Sequence, residues 1–247
     1  MKTLKYGAPV LFFDFDNTIT VEDVLDRVIQ EFSISDDWRE WEAAWIRGEI
    51  STARCLEKQV AGIRASRAEL MEFVRDSQID HHFASVVQWA ESADVNLLIV
   101  SDNFSCFVRE ILSRHGLSHL RVMANELTFL GNQLEAHFPF RSTACERCAH
   151  CKALHFQHFD RYRKIYVGDG LSDVCPALAA DVVFAKESLA DLLSSRGVPF
   201  NFFASLRTIA DFLVANYGAR AEAKHRKYRA RVDMGEIEQA TVRYIKA

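Results

Sequence analysis

Apolar residues in this chain gather into short unbroken runs, each of which stops at a polar cluster. VLFF (10–13) runs into Asp14, LLIV (97–100) into Ser101, and KIYV (164–167) into Gly168-Asp169-Gly170. Runs without alternation are the mark of strands covered on both faces, as in parallel sheets. A further run at 182–185 and a weaker one at 198–203 alternate with helical spacing at 104–115, 172–179, 187–195 and 204–216. This alternation predicts an α/β fold: a doubly wound, Rossmann-like parallel sheet. Ligands of such sheets sit beyond the carboxyl ends of the strands, where Asp14, Ser101 and Asp169 fall.

Between the first two strands the pattern changes. Residues 21–81 carry helical spacing throughout, with Ser51 and Ser66 placed as N-caps and Glu69 three positions after Ser66. That length exceeds a simple crossover and predicts a helical cap inserted into the core. The Trp38, Trp41, Trp45 stripe reads as a packing face of this cap. The expected organisation is a catalytic core over 1–20 and 82–218, the cap over 21–81, and a basic helical tail over 219–247. In that tail, six Lys or Arg stand against one Glu between Arg220 and Val232.

Composition narrows the function classes. With 247 residues, 49% of them hydrophobic, the chain can bury a sizeable core. A net charge of −4, from 34 acidic and 30 basic side chains, argues against a general nucleic-acid or anionic-membrane binder. No apolar stretch reaches the ~20 residues of a membrane-spanning helix. The six cysteines are sparse and three lie within seven positions, which suits a reducing, cytoplasmic setting better than a disulfide framework.

The chemistry lies in the strand-end carboxylates. Asp14 and Asp16 of DFDNT share one face of an extended segment, and Asp169 and Asp173 of GDGLSD join them at the sheet's carboxyl edge. Like charges ~4 Å apart cost on the order of 4 kcal/mol per pair at an effective dielectric near 20. A hard divalent cation relieves that cost, and an all-oxygen ligand set points to Mg²⁺.

DFDNT at 14–18, Ser101 after LLIV, Lys152 and GDGLSD at 168–173 resemble the four ordered motifs of the haloacid dehalogenase superfamily, in its phosphatase branch. The helical insert after the first motif is similar to the phosphoserine-phosphatase-like subgroup. SDNFSCFV, the Cys-x-x-Cys-x-x-Cys-Lys stretch and GDGLSDVCPALAADVVFAK resemble the phosphoethanolamine/phosphocholine phosphatases and the methionine-salvage phosphatase of a methylthio-ketopentenyl phosphate.

This resemblance implies a Mg²⁺-dependent phosphomonoester hydrolase for a small soluble phosphate ester. Asp14 is then the nucleophile that becomes an aspartyl phosphate, and Asp16 the acid and base. Mg²⁺ is held by the Asp14 carboxylate, the Asp16 carbonyl and Asp169, with Asp173 orienting a water or Lys152. Ser101 and the backbone N–H groups of Asp102 and Asn103, expected at the start of a helix, bind phosphate, and Lys152 neutralises it. Thr18 is expected to buttress the loop. Lys164 and Lys186 are rivals to Lys152, which lies seventeen positions before Asp169. Glu22, Asp23 and Arg54 are candidates for substrate choice: an acidic contact would suit an amino-bearing ester, a neutral one a ketone phosphate.

Two features stay open at this level. Cys145, Cys148 and Cys151, with a neighbouring histidine, could bind zinc or remain reduced thiols. Phosphoryl transfer to an alcohol, or a binding role for the Cys cluster or the tail, are the alternative functions, and the oligomeric state has no signal in the pattern.

Overall fold

The computed structural model describes residues 8–218, so the basic tail expected at 219–247 lies outside the described residues. Seven strands form one sheet in the order β4-β3-β2-β1-β5-β6-β7, where β1 is Pro9–Phe13, β2 Leu97–Phe104, β3 Arg121–Leu130, β4 Gln133–His137, β5 Arg163–Gly168, β6 Val182–Ala185 and β7 Asn201–Phe202. β1 with β5, β5 with β6 and β6 with β7 pair in parallel, and β3 with β4 forms an antiparallel hairpin. This is the α/β sheet that the apolar runs predict. The hairpin is an addition to it, and the weak run at 198–203 narrows to the two residues of β7. By its internal contacts the chain divides into two compact units, with the division after Asp14 and within β2.

Among the described residues, one unit comprises residues 8–14, 79–98 and 155–218. β1 and β6 are buried along their length and β5 from Ile165 onward, and aromatic side chains pack on both faces of β1. The Phe12 ring meets Phe156 at 4.5 Å and Phe159 at 5.6 Å, and Phe13 meets Phe83 edge-on at 5.6 Å. Helix α5, Phe83–Ala93, packs on α9, Arg207–Tyr217, and the Trp89 indole donates to the Gly218 carbonyl at 2.8 Å. Two further helices, α7 at Val174–Ala179 and α8 at Glu187–Ser195, follow β5 and β6.

The other unit comprises Phe15–Gln78 and Ile99–Leu154. Its first segment holds α1 (Val24–Phe32), α2 (Trp38–Ile46), α3 (Thr52–Gly62) and α4 (Arg67–Arg75), in the stretch where helical spacing predicts them. Ser51 caps α3 by accepting from the Arg54 N–H, and Ser66 forms a reciprocal capping box with Glu69. Trp38 is buried, while Trp45 is half-buried and donates to the Thr52 hydroxyl at 3.0 Å. Helix α6, Ser105–Arg114, carries Glu110, whose carboxylate pairs with Arg75 of α4 at 3.1 Å.

Candidate active site

In the first unit, parallel pairing sets Phe13 opposite Val167, so the residues that follow each strand leave the sheet side by side. The Asp14 N–H donates to the Val167 carbonyl at 2.9 Å, and Asp169 leaves β5 one residue beyond Gly168. A short 3₁₀ turn, Leu171–Asp173, then brings Asp173 back beneath the strand end. Asp173 is fully buried and accepts from the Tyr166 hydroxyl at 2.6 Å, the Asp169 N–H at 2.9 Å and the Gly170 N–H at 3.0 Å. Gly168 makes this approach possible, since a Cβ there would lie 2.5 Å from Asp173 Oδ2.

Asp14, Asp169 and Asp173 are all buried, and each offers a carboxylate oxygen within 4.8 Å of the other two. Like charges at that separation repel by roughly 3 kcal/mol per pair at an effective dielectric near 20. Buried, hard and all-oxygen, this donor set fits Mg²⁺. The clustered cysteines do not appear in such a group among the described residues.

In the second unit, Asp16 opens a tight turn in which Asn17 takes a left-handed φ of 52° and the carbonyl of buried Phe15 accepts from the Ile19 and Thr20 N–H groups. Asp16 Oδ1 accepts from the Val24 N–H at 2.9 Å, and the Asn103 amide donates to both carboxylate oxygens at 3.0 and 2.9 Å. Thr18 is buried in this turn. The Asn103 contact has no counterpart in the sequence reading, because its partner lies 87 positions away.

β2 continues to Phe104 and α6 begins at Ser105, so Asp102 and Asn103 sit in the strand end rather than at the start of a helix. Ser101 is buried and its hydroxyl accepts from the Asn103 N–H at 3.0 Å. Asp102 binds through both ends: its carbonyl accepts from the Asn125 amide at 2.6 Å, its carboxylate from the His150 N–H at 3.0 Å. Lys152 Nζ lies 3.9 Å from Asp102 Oδ2. Of the three candidate lysines it is the buried one. Lys164 lies at the amino end of β5, and Lys186 rests over the Phe203 ring at 5.4 Å. His150 is buried, stacks on Phe140 and places Nδ1 2.9 Å from the Ser101 carbonyl. A carbonyl only accepts, so Nδ1 carries the proton.

The specificity candidates separate. Asp23 caps α1 by accepting from the Asp26 N–H at 2.8 Å. Burial raises its carboxyl above the usual range, against the pull of those backbone N–H groups and of Lys152. Asp26 is pushed up to about 7, by burial first and then by Asp23 and Glu42. Glu22 pairs with Arg27, and Arg54 sits on the exposed face of α3 in an ion pair with Glu57 at 3.1 Å. Asp23 therefore stands in the electrostatic field of Lys152, whereas Arg54 is turned to solvent.

Comparison with known proteins gives consistent findings. The profile of the family described as "Putative Phosphatase" matches residues 9–194. A 2-hydroxy-3-keto-5-methylthiopentenyl-1-phosphate phosphatase of Brevibacillus brevis is 27% identical over 213 residues, covering 83% of this chain and 94% of that protein. Pdp3-interacting factor 1 of Schizosaccharomyces pombe is 24% identical over 220 residues, covering 81% and 91%. Among solved structures, a phospho-aspartyl intermediate analogue of phosphoserine phosphatase superposes with a TM-score of 0.65 at 16% identity, covering 83% of this chain and 99% of that one. The last likeness is one of fold.

Proposed function

Because the chain belongs to the family described as "Putative Phosphatase", a haloacid-dehalogenase-superfamily phosphatase of the phosphoserine-phosphatase-like kind, we propose that it is a Mg²⁺-dependent phosphomonoester hydrolase working through an aspartyl phosphate on Asp14. The observation that carries this reading is the buried trio of Asp14, Asp169 and Asp173. The Asp14 carboxylate attacks phosphorus while the bond to the ester oxygen breaks, and Asp16 hands that oxygen its proton. Asp16 then takes a proton from the water that cleaves the acyl phosphate. Asn103 and the Val24 N–H fix the direction of the Asp16 carboxyl for both steps.

Asp14, Asp169 and Asp173, with the Asp16 carbonyl, would hold Mg²⁺, which supplies positive charge against the ~−1.5 to −2 of a phosphoryl group. Ser101, with the backbone of Asp102 and Asn103, binds phosphate oxygens, and Lys152 neutralises charge spread over them in the transition state. Asp102 and His150 hold Lys152 and Ser101 in place. Residues 21–81 serve as the cap that excludes water, with Asp23 as its contact to substrate. The substrate is a small soluble phosphate ester and the setting cytoplasmic. Among the described residues no helix is long and apolar enough to cross a membrane.

Phosphate release from phosphocholine, phosphoethanolamine, phosphoserine and the methylthio-ketopentenyl ester, with and without Mg²⁺, tests the reading. The expected result is Mg²⁺-dependent turnover of at least one ester, abolished in Asp14→Asn. Turnover that survives in Asp14→Asn would overturn it.

A further inference from the structure

None of the six cysteines is in a disulfide, but their surroundings differ. Burial pushes the Cys55 thiol up to about 12 and the Cys106 thiol up to about 11, which leaves both unreactive at neutral pH. Cys145 and Cys148 are half-buried, and their sulfurs stand 3.4 Å apart. A disulfide bond measures about 2.05 Å, so closing this pair takes a shift of little more than ~1 Å. Cys151 belongs to no cluster of three metal-capable side chains among the described residues.

The loop that carries the pair is tied at both ends to the phosphatase machinery of its unit. Between the two cysteines, the Arg147 carbonyl accepts from the Thr52 N–H at 2.8 Å, at the first turn of α3. The Arg147 guanidinium covers Gly48, where an added Cβ would lie 3.1 Å from Nη1. Just after Cys148, the His150 N–H donates to Asp102 and its ring meets the Ser101 carbonyl, and Lys152 follows. The Cys145–Cys148 turn thus joins the helical segment to the strand end that holds Ser101, Asp102 and Lys152.

We propose that Cys145 and Cys148 form a reversible dithiol–disulfide pair through which a small-molecule disulfide of the glutathione type lowers the phosphatase activity. One protein thiolate attacks a sulfur of the oxidant and releases one reduced thiol. The second thiolate attacks the resulting mixed disulfide, releases the other, and leaves the intrachain bond. Two protein thiols are oxidised, one external disulfide is reduced, and the two protons pass to the released thiolates. Closure draws Arg147 and the 148–152 segment together and displaces Lys152 relative to Asp102. The loss of activity rests on the phosphatase reading; the disulfide itself does not.

Trypsin cuts after Arg147, so the bond would join segments 142–147 and 148–152, which makes it directly readable. The full chain is equilibrated in oxidised and in reduced glutathione, digested without reductant, and weighed by mass spectrometry. The two segments are expected to stay joined after oxidation in the wild type and in Cys151→Ser, and to separate in Cys145→Ser and Cys148→Ser. Wild-type turnover should fall roughly tenfold or more, the scale of a small misplacement in an active site, and return with dithiothreitol. Cys145→Ser should keep its basal rate in both buffers.

Segments that stay joined in Cys148→Ser would reassign the pair to Cys151 and overturn the proposal. So would thiols that stay reduced in oxidised glutathione, or stoichiometric zinc that protects them. Joined segments with unchanged turnover would overturn the regulation. Because the linkage is weighed independently of activity, a chain that hydrolyses none of the esters would still decide the disulfide.

Discussion

Replacing Asp173 separates positioning from charge at the strand-end trio. In Asp173→Ala the Tyr166 hydroxyl and the Asp169 N–H, both buried, lose their acceptor, while the Gly170 N–H is half-buried and can turn to water. An orphaned buried donor costs about 1–3 kcal/mol, so the two together cost about 4 kcal/mol. Asp173→Asn keeps the shape. Its amide oxygen can accept from the two backbone N–H groups, but its NH₂ then faces the Tyr166 oxygen and the Tyr166 O–H loses its acceptor there. Asn thus orphans one buried donor where Ala orphans two, a difference of about 2 kcal/mol, while both substitutions equally remove the charge assistance and the repulsion from Asp14 and Asp169. Urea unfolding in chelator should therefore place Asn well above Ala in midpoint, with equal m values. Both variants should lose Mg²⁺-dependent phosphate release. Equal destabilisation by Ala and Asn would refute the hydrogen-bond argument, and full activity in Asn would refute a role for the charge.

Asp26 should give stability a measurable pH dependence. Its folded carboxyl is pushed up to about 7 from 3.8, so the folded state holds the proton more tightly. The resulting contribution, up to about 4 kcal/mol, is fully present below pH ~4 and is lost as pH rises to ~7. Asp26→Asn should flatten the unfolding free energy across that window, and an unchanged slope in urea titrations would contradict the assignment. Asn103→Ala should leave the fold intact within about 1–2 kcal/mol but reduce kcat by roughly 10²-fold, because Asp16 loses the donor that directs both its oxygens. Steady-state kinetics on the best ester would show this as a fall in kcat with little change in KM, and unchanged kcat would count against it.

The central strands were legible because VLFF, LLIV and the IYV of KIYV are buried, which leaves a polar position only at Lys164, at the strand's start. β3 and β4 escaped the same reading. β3 carries Asn125 and Glu126 in its middle and ends exposed, so its apolar run breaks. The Gly131-Asn132 pair between the strands, with Gly131 at a φ of 65°, is the hairpin signal that could have revealed them.

The carboxylates were legible for a topological reason: Asp14 and Asp169 each follow a strand end, and parallel pairing of β1 with β5 forces those ends together. Their supports were not. Asn103, His150 and Tyr166 are ordinary residue types in sequence, and two of them act on partners 87 and 49 positions away. The start of α6 was misplaced by one residue because Asn103 and Phe104 continue the strand.

Trapping the covalent intermediate tests the central claim most directly. The protein is quenched during Mg²⁺-supported turnover of its best ester and treated with borohydride, which reduces an acyl phosphate to an alcohol, and the peptide containing residues 8–27 is sequenced by mass spectrometry. The account predicts reduction at Asp14 alone, dependent on both ester and Mg²⁺. Turnover that leaves Asp14 unmodified, or that places the acyl phosphate on another side chain, would contradict it.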